Sequence, residues 1–242
     1  MRSPTILLFA LALLPMVICA CNSAPGRPAV DSASVRPNEV LNFDTLYQQN
    51  CAGCHGEQGR GGAAIALNSP VYLEVADDAT IRRVTAQGVP GTAMPAFAQS
   101  SGGMLTDEQV NAIVAGIRSH WSKQDSLPVT LPTYSAAVPG DPQHGGSVYG
   151  AYCASCHGVA GRGGSHGGSI VDESFLNLVS DQYLRTIVIA GRPELGAPDW
   201  RGNVPGKPMS QQEVSDVVAW LSAQRPKPAL SSTSKSASGG IQ

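Results

Sequence analysis

The sequence predicts an all-α protein made of two tandem copies of one small helical domain. Segments recur in the same order. TLYQQNCAGCHGEQGRGG (Thr45–Gly62) matches SVYGAYCASCHGVAGRGG (Ser147–Gly164), and TIRRVTAQGVP (Thr80–Pro90) matches YLRTIVIAGRP (Tyr183–Pro193). MLTDEQVNAIVAGI (Met104–Ile117) then matches PMSQQEVSDVVAWL (Pro208–Leu221). Two copies at a period near 100 residues mean a duplicated domain, not a solenoid. Apolar residues fall at helical spacing, and strand signals are absent.

From the N-terminus, Met1–Arg2 gives a positive start and Ile6–Ala20 an apolar run broken by Pro15. That run is too short for a membrane span of about 20 residues and fits a secretory signal over residues 1–20. Its end, Ile18-Cys19-Ala20-Cys21, resembles a bacterial lipobox. The resemblance implies that Cys21 is lipidated and becomes the mature N-terminus. One acyl chain holds a protein only marginally; the modification implied here supplies three. The expected location is the periplasmic face of a bacterial membrane, reached by export and held by the lipid anchor.

Residues 21–41 are rich in Pro, Ser and Ala and read as a tether. Residues 42–122 and 143–226 are the two expected domains. The proline-rich stretch 123–142 between them favours a stiff, extended path. The polar tail 227–242 reads as disordered. Within each domain a capping box opens the last helix, Thr106…Gln109 and Ser210…Glu213. Asp78 and Asp181 suit the starts of the middle helices, and Gly88 and Gly191 suit their ends. At about 80 residues each, a bare apolar core would be marginal, so something should fill the middle.

Charge is balanced, 16 Lys+Arg against 18 Asp+Glu. No basic patch points to nucleic acid. Residues 42–122 carry four arginines and seven acids, and residues 143–226 six basic residues and seven acids. No lysine-rich face is available to steer an acidic partner.

Of six cysteines, two lie in the signal region and four form Cys51-Ala-Gly-Cys54-His55 and Cys153-Ala-Ser-Cys156-His157. C-x-x-C-H is the attachment signature of c-type haem. Cysteines three apart on a helical turn face one way, so both sulfurs reach one porphyrin, and the next histidine is held under the iron. A thioredoxin-like C-x-x-C expects a βαβ setting, and a zinc ribbon would place its two pairs some 15 to 20 residues apart. The pairs here are separated by 98 residues.

Each repeat resembles a class I cytochrome c domain. That resemblance implies two haem c, held covalently by Cys51, Cys54, Cys153 and Cys156, with His55 and His157 as proximal ligands. It also implies Met94, in GTAMPAF, as the distal ligand of the first haem. His/Met ligation saturates the iron and raises its potential, which favours electron transfer over substrate chemistry.

The second repeat departs from this pattern, because Ala197 falls opposite Met94. Three outcomes stay open for its distal position. Met209 could fold back as a ligand, although it aligns with Leu105, where a hydrophobic staple is expected. His166, in the glycine-rich SHGGS, could supply an imidazole. Otherwise the iron is open or water-bound. His144 and His120 are poorer candidates, being a linker residue and a helix-end residue.

The expected function is membrane-tethered relay of single electrons between respiratory or photosynthetic redox proteins, as a carrier or as a subunit of a membrane complex. A carrier is expected more than an enzyme, with no small-molecule substrate. The rival readings are a peroxidase-like dihaem oxidoreductase and a haem-based ligand sensor, each using an open second haem.

Overall fold

The computed structural model describes residues 35–122, 127 and 130–226. The signal segment, Cys21, the tether as far as residue 34, part of the linker and the tail 227–242 lie outside them. The described residues fall into two units, divided after Glu39. In the first, a 3₁₀ turn over Pro37–Glu39 is closed by the Arg36 N–H on Glu39 Oε2 at 3.3 Å. The second unit, from Val40 on, carries both repeats.

The first repeat contains five α-helices. α1 (Phe43–Asn50) begins at Asn42, whose side chain accepts the Thr45 N–H at 2.9 Å. α2 (Ala52–His55) is the single turn holding C-x-x-C-H. α3 (Pro70–Val75) has Ser69 as its cap and a proline in its first turn, where no N–H is missed. α4 (Asp78–Gln87) is capped by Asp77 and stops at Gly88, whose φ of 65° favours glycine. α5 (Asp107–Trp121) opens with the expected capping box.

The second repeat follows the same order. Asp141 caps α6 (Pro142–Tyr152), which leads into α7 (Ala154–His157). α8 (Glu173–Leu178) is capped by Asp172. α9 (Asp181–Ala190) runs from Ser180 to Gly191, with φ again 65°. α10 (Gln211–Ser222) has its own capping box. The described residues form no strand, only two isolated bridges, and the all-α expectation holds. No described helix is long and apolar enough to cross a membrane.

α1 packs against α5, and α6 against α10. Leu46 and Tyr47 meet Val110, Ile113 and Ile117 in the first core; Val148 and Tyr149 meet Val214 and Val217 in the second. All nine are almost fully buried. At roughly 1.5–3 kcal/mol for each fully buried large apolar side chain, these contacts hold the terminal helices together. The repeats are joined as well, with α9 lying on α3 and one buried cluster running through both.

Each repeat ties its short helix down with an arginine. Arg118 pairs with Asp78 at 2.5 Å and donates to the carbonyls of Leu73 and Ala76 at the end of α3. Arg225 pairs with Asp181 at 2.5 Å and donates to Leu176 and Val179 at the end of α8. The described part of the proline-rich linker is held by side chains of the second repeat. Buried Arg185 donates to Thr133 O and Tyr134 O, each at 3.1 Å from its Nε, and so lays the linker on the second repeat.

A carboxylate at the α6–α10 crossing adds a pH dependence. Asp216 is buried and accepts from the Asp141 N–H, Gln212 Nε2 and His144 Nδ1, each at 2.7 Å. Its hydrogen bonds outweigh burial and hold its pKa below the ordinary 3.8. The bond to Asp216, helped by Asp141 and Glu213, raises His144 above 6.5. A raised histidine stabilises fully below 6.5 and loses that contribution as pH rises through its folded value. A depressed aspartate stabilises above 3.8 and loses it as pH falls through its folded value. The pair is therefore most stabilising from about pH 4 to 6.5. Between pH 6.5 and 8.5 the melting temperature should fall more steeply in the wild type than in His144→Gln. Parallel melting curves in the two proteins would remove His144 from the account.

Candidate haem sites

α1 ends where the first site begins. The Cys51 N–H closes α1 on Tyr47 O at 2.8 Å, and the His55 N–H bonds Cys51 O at 2.9 Å. One turn therefore carries both thiols and the imidazole. Cys51 is half-buried, Cys54 exposed, and both are free thiols. Burial, with Cys54 adjacent, pushes the Cys51 thiol up to about 12.

His55 is buried, and its Nδ1 lies 2.8 Å from the Ile65 carbonyl. A carbonyl only accepts, so Nδ1 carries the proton and Nε2 keeps its lone pair. This is the usual arrangement of a metal-binding histidine, with the outer nitrogen held by the backbone. Burial lowers the His55 pKa against the opposing pull of the Ile65 bond, and the Arg192 charge adds to the lowering. Each cause of that lowering favours the neutral, ligating form.

The loop that supplies the Ile65 carbonyl needs two glycines. A Cβ on Gly56, whose φ is 82°, would fall 1.8 Å from Arg60 O. A Cβ on Gly62 would fall 2.1 Å from Cys54 O. The Tyr47 hydroxyl donates to Gly56 O at 2.7 Å, and Trp121 stands edge-on to Tyr47 at 5.0 Å.

The second site repeats this design. Cys153 and Cys156 are free thiols, and burial pushes Cys153 up to about 11. His157 Nδ1 lies 2.9 Å from Gly168 O, which again leaves Nε2 with the lone pair. The Tyr149 hydroxyl donates to Gly158 O, and Trp220 stacks on Tyr149 at 4.4 Å. The acceptor lies eleven residues beyond His157, against ten in the first site. His157 is only half-buried.

Covalent haem needs two thiols on one turn, an imidazole held at Nδ1 so that Nε2 faces outward, and a backbone that passes close by. Both turns provide all three, so the donor set fits the group twice.

The other candidates sit on separate loops. Met94 is half-buried beyond α4; the Val89 N–H bonds its carbonyl at 3.0 Å, and its own N–H bonds Thr92 Oγ1 at 3.2 Å. The neighbouring Ala93 N–H reaches across the repeats to Leu178 O at 3.2 Å. Met209 is buried, its N–H on Trp200 O at 3.0 Å. His166 is exposed, with Nδ1 2.8 Å from Ser165 Oγ. His144 is taken up by Asp216, and His120 Nδ1 by Gly116 O at 2.9 Å.

Two features went unread in the sequence. The Ile65 and Gly168 acceptors are backbone groups, which carry no residue signature. Arg192 lies in the second repeat's counterpart of the Met94 loop, yet it serves the first site. It is buried, pairs with Glu194 at 2.5 Å and donates from Nη2 to Gly62 O at 2.8 Å. The second repeat thereby braces the loop that orients His55. Arg192→Ala strands Glu194 and the Gly62 carbonyl, which should cost about 1–3 kcal/mol. Arg192→Lys should recover only part of this, because lysine lacks the planar fork. Urea unfolding monitored by far-UV circular dichroism measures both, and full stability in Arg192→Ala would show the brace to be idle.

Comparison with known proteins gives one family. The model of cytochrome C oxidase, cbb3-type, subunit III, matches residues 38–115 and again residues 140–221. The chain is 29% identical over 130 residues to the cbb3-type cytochrome c oxidase subunit CcoP of Azospirillum sp. (strain B510). It is 30% identical over 128 residues to subunit FixP of Sinorhizobium medicae (strain WSM419). Each alignment covers 49% of this chain and 39% of the relative. Among solved structures, a chain of the Kuenenia stuttgartiensis reducing HAO-like protein complex superposes with a TM-score of 0.46 at 19% identity, covering 76% of this chain and 96% of that one.

Proposed function

Since this chain belongs to the family of cbb3-type cytochrome c oxidase subunit III, and is a dihaem c-type cytochrome, we propose that it is tethered to a membrane by lipid and relays single electrons for a respiratory complex there. The observation that carries this reading is the pair of C-x-x-C-H turns, each with its histidine in the ligating tautomer. Haem c supplies a reversible one-electron couple when bound.

Residues take the following roles in this reading. Cys51 and Cys54 bind the first haem covalently, and Cys153 and Cys156 the second. His55 and His157 are the proximal ligands, oriented by Ile65 O and Gly168 O. Met94 is the distal ligand of the first haem, on a loop whose backbone is held by Val89, Thr92 and the neighbouring repeat. With two strong ligands that iron has no vacancy for substrate, which suits relay.

Residues 42–122 and 143–226 are the two haem-binding domains, and Cys21 is the lipid attachment point on the periplasmic face. Electrons would come from a quinol-oxidising complex and pass to a terminal oxidase, a reductase or a soluble cytochrome. Weak surface charge suits a tethered partner, for which high local concentration replaces electrostatic steering.

Redox titration of the membrane-extracted holoprotein tests the assignment. Met94→Leu should lower the potential of one centre on the order of 0.1 V, within the roughly 0.8 V that axial ligands span. The other centre should be unmoved. Cys21→Ser should abolish incorporation of labelled palmitate and release the protein from the membrane. Unchanged potentials in Met94→Leu, or undiminished labelling in Cys21→Ser, would sink the corresponding half of the proposal.

A further inference from the structure

The loops after α4 and α9 share one backbone frame. The Val89 N–H bonds Met94 O at 3.0 Å, and the Arg192 N–H bonds Ala197 O at 2.8 Å. A Cβ on Gly88 would meet the Pro95 carbonyl carbon at 2.6 Å, and one on Gly191 the Pro198 carbonyl carbon at 2.5 Å. The Leu105 N–H bonds Phe97 O at 2.8 Å, and the Met209 N–H bonds Trp200 O at 3.0 Å. Three independent contacts thus set the same register. Ala197 stands in the place of Met94, and Met209 in the place of Leu105.

Met209 has the burial expected of that place, 3% exposed against 6% for Leu105. It precedes the capping box of α10 as Leu105 precedes that of α5. The remaining donors of the second repeat are engaged elsewhere. His144 bonds buried Asp216. Lys207 Nζ lies 5.5 Å from the centre of the Tyr152 ring. His166 is exposed, in the loop whose Gly167 and Gly168 back onto His157 Nδ1, so it belongs to the His157 side of the site. Alanine brings no lone pair to iron.

We propose that the second haem site is open on its distal side, at Ala197, and binds a small neutral diatomic ligand in the ferrous state. The proposal rests on the dihaem reading above. Its counterpart in the first repeat is closed by Met94. One chain then joins a closed relay centre to a ligand-accepting centre.

Carbon monoxide, added to the dithionite-reduced holoprotein, is the probe. Haem content by pyridine haemochrome comes first: fewer than two haems per chain would defeat the dihaem reading itself. With two haems present, the wild type should take up one CO per chain, and its ferric spectrum should contain one high-spin or water-bound centre. Ala197→Met should reduce uptake from one to none and make both ferric haems low-spin. Met94→Ala should raise uptake to two, which makes the assay independent of how well Ala197→Met folds. Met209→Leu should leave uptake at one. The proposal is overturned if the two-haem wild type takes up no CO, if Met209→Leu raises uptake, or if Ala197→Met folds with two haems and still takes up one.

Discussion

In each repeat one hydrogen bond, from the histidine Nδ1–H to a backbone carbonyl, governs the rest of the site. It fixes the tautomer and aims the ring. It also requires the chain to turn back on itself within ten or eleven residues. That return explains glycine at positions 56 and 62, where any Cβ would strike backbone. The Gly56 carbonyl is in turn held by the Tyr47 hydroxyl, and Tyr47 is buried against α5. The crossing of the terminal helices and the orientation of the imidazole are therefore a single constraint. Each bond is worth only about 0.5–1.5 kcal/mol, yet losing one leaves a buried polar group unmet.

The two sites share this frame but not their surroundings. His55 is buried and lies near the positive charge of Arg192, whereas His157 is half-buried. Burial and dielectric are recognised levers on haem potential. The duplication thus supplies two similar cradles, and packing between the repeats makes them unequal. Arg192 is central to that inequality: its backbone N–H bonds Ala197 O in its own loop, and its side chain reaches Gly62 in the other repeat. A change at this residue acts on both loops at once.

Sequence reading recovered what residue identity encodes. The C-x-x-C-H turns, both capping boxes, the terminal glycines of the middle helices and the all-α class were all legible. It did not recover contacts made by backbone atoms, or roles that moved between positions. Arg118 and Arg225 perform the same clamp, yet gapless matching sets Arg118 opposite Ser222, because Arg225 lies about one helical turn further on. Trp121 and Trp220 both cover the tyrosine before the cysteines, again from unmatched positions. The Pro-rich stretch read as a stiff, extended link, and nothing in its residues showed that Arg185 binds it through the carbonyls of Thr133 and Tyr134. Side chains that replace one another from adjacent turns leave no trace in an alignment by position.

The second distal position is subject to the same packing constraint. Moving ligation from residue 197 to Met209 would require the loop to refold, since Met209 is tied through its N–H to Trp200 O and its side chain fills a core slot. Vacating that slot forfeits burial of a leucine-sized side chain, roughly 1.5–3 kcal/mol, and opens a cavity beside the start of α10. The loop instead keeps the frame of the methionine loop in the first repeat, down to the proline over its glycine. A shared frame with alanine in the place of methionine is what the proposed open site requires, with no rearrangement of the backbone around it. An alanine there leaves the scaffold intact and removes only the group that would have excluded other ligands.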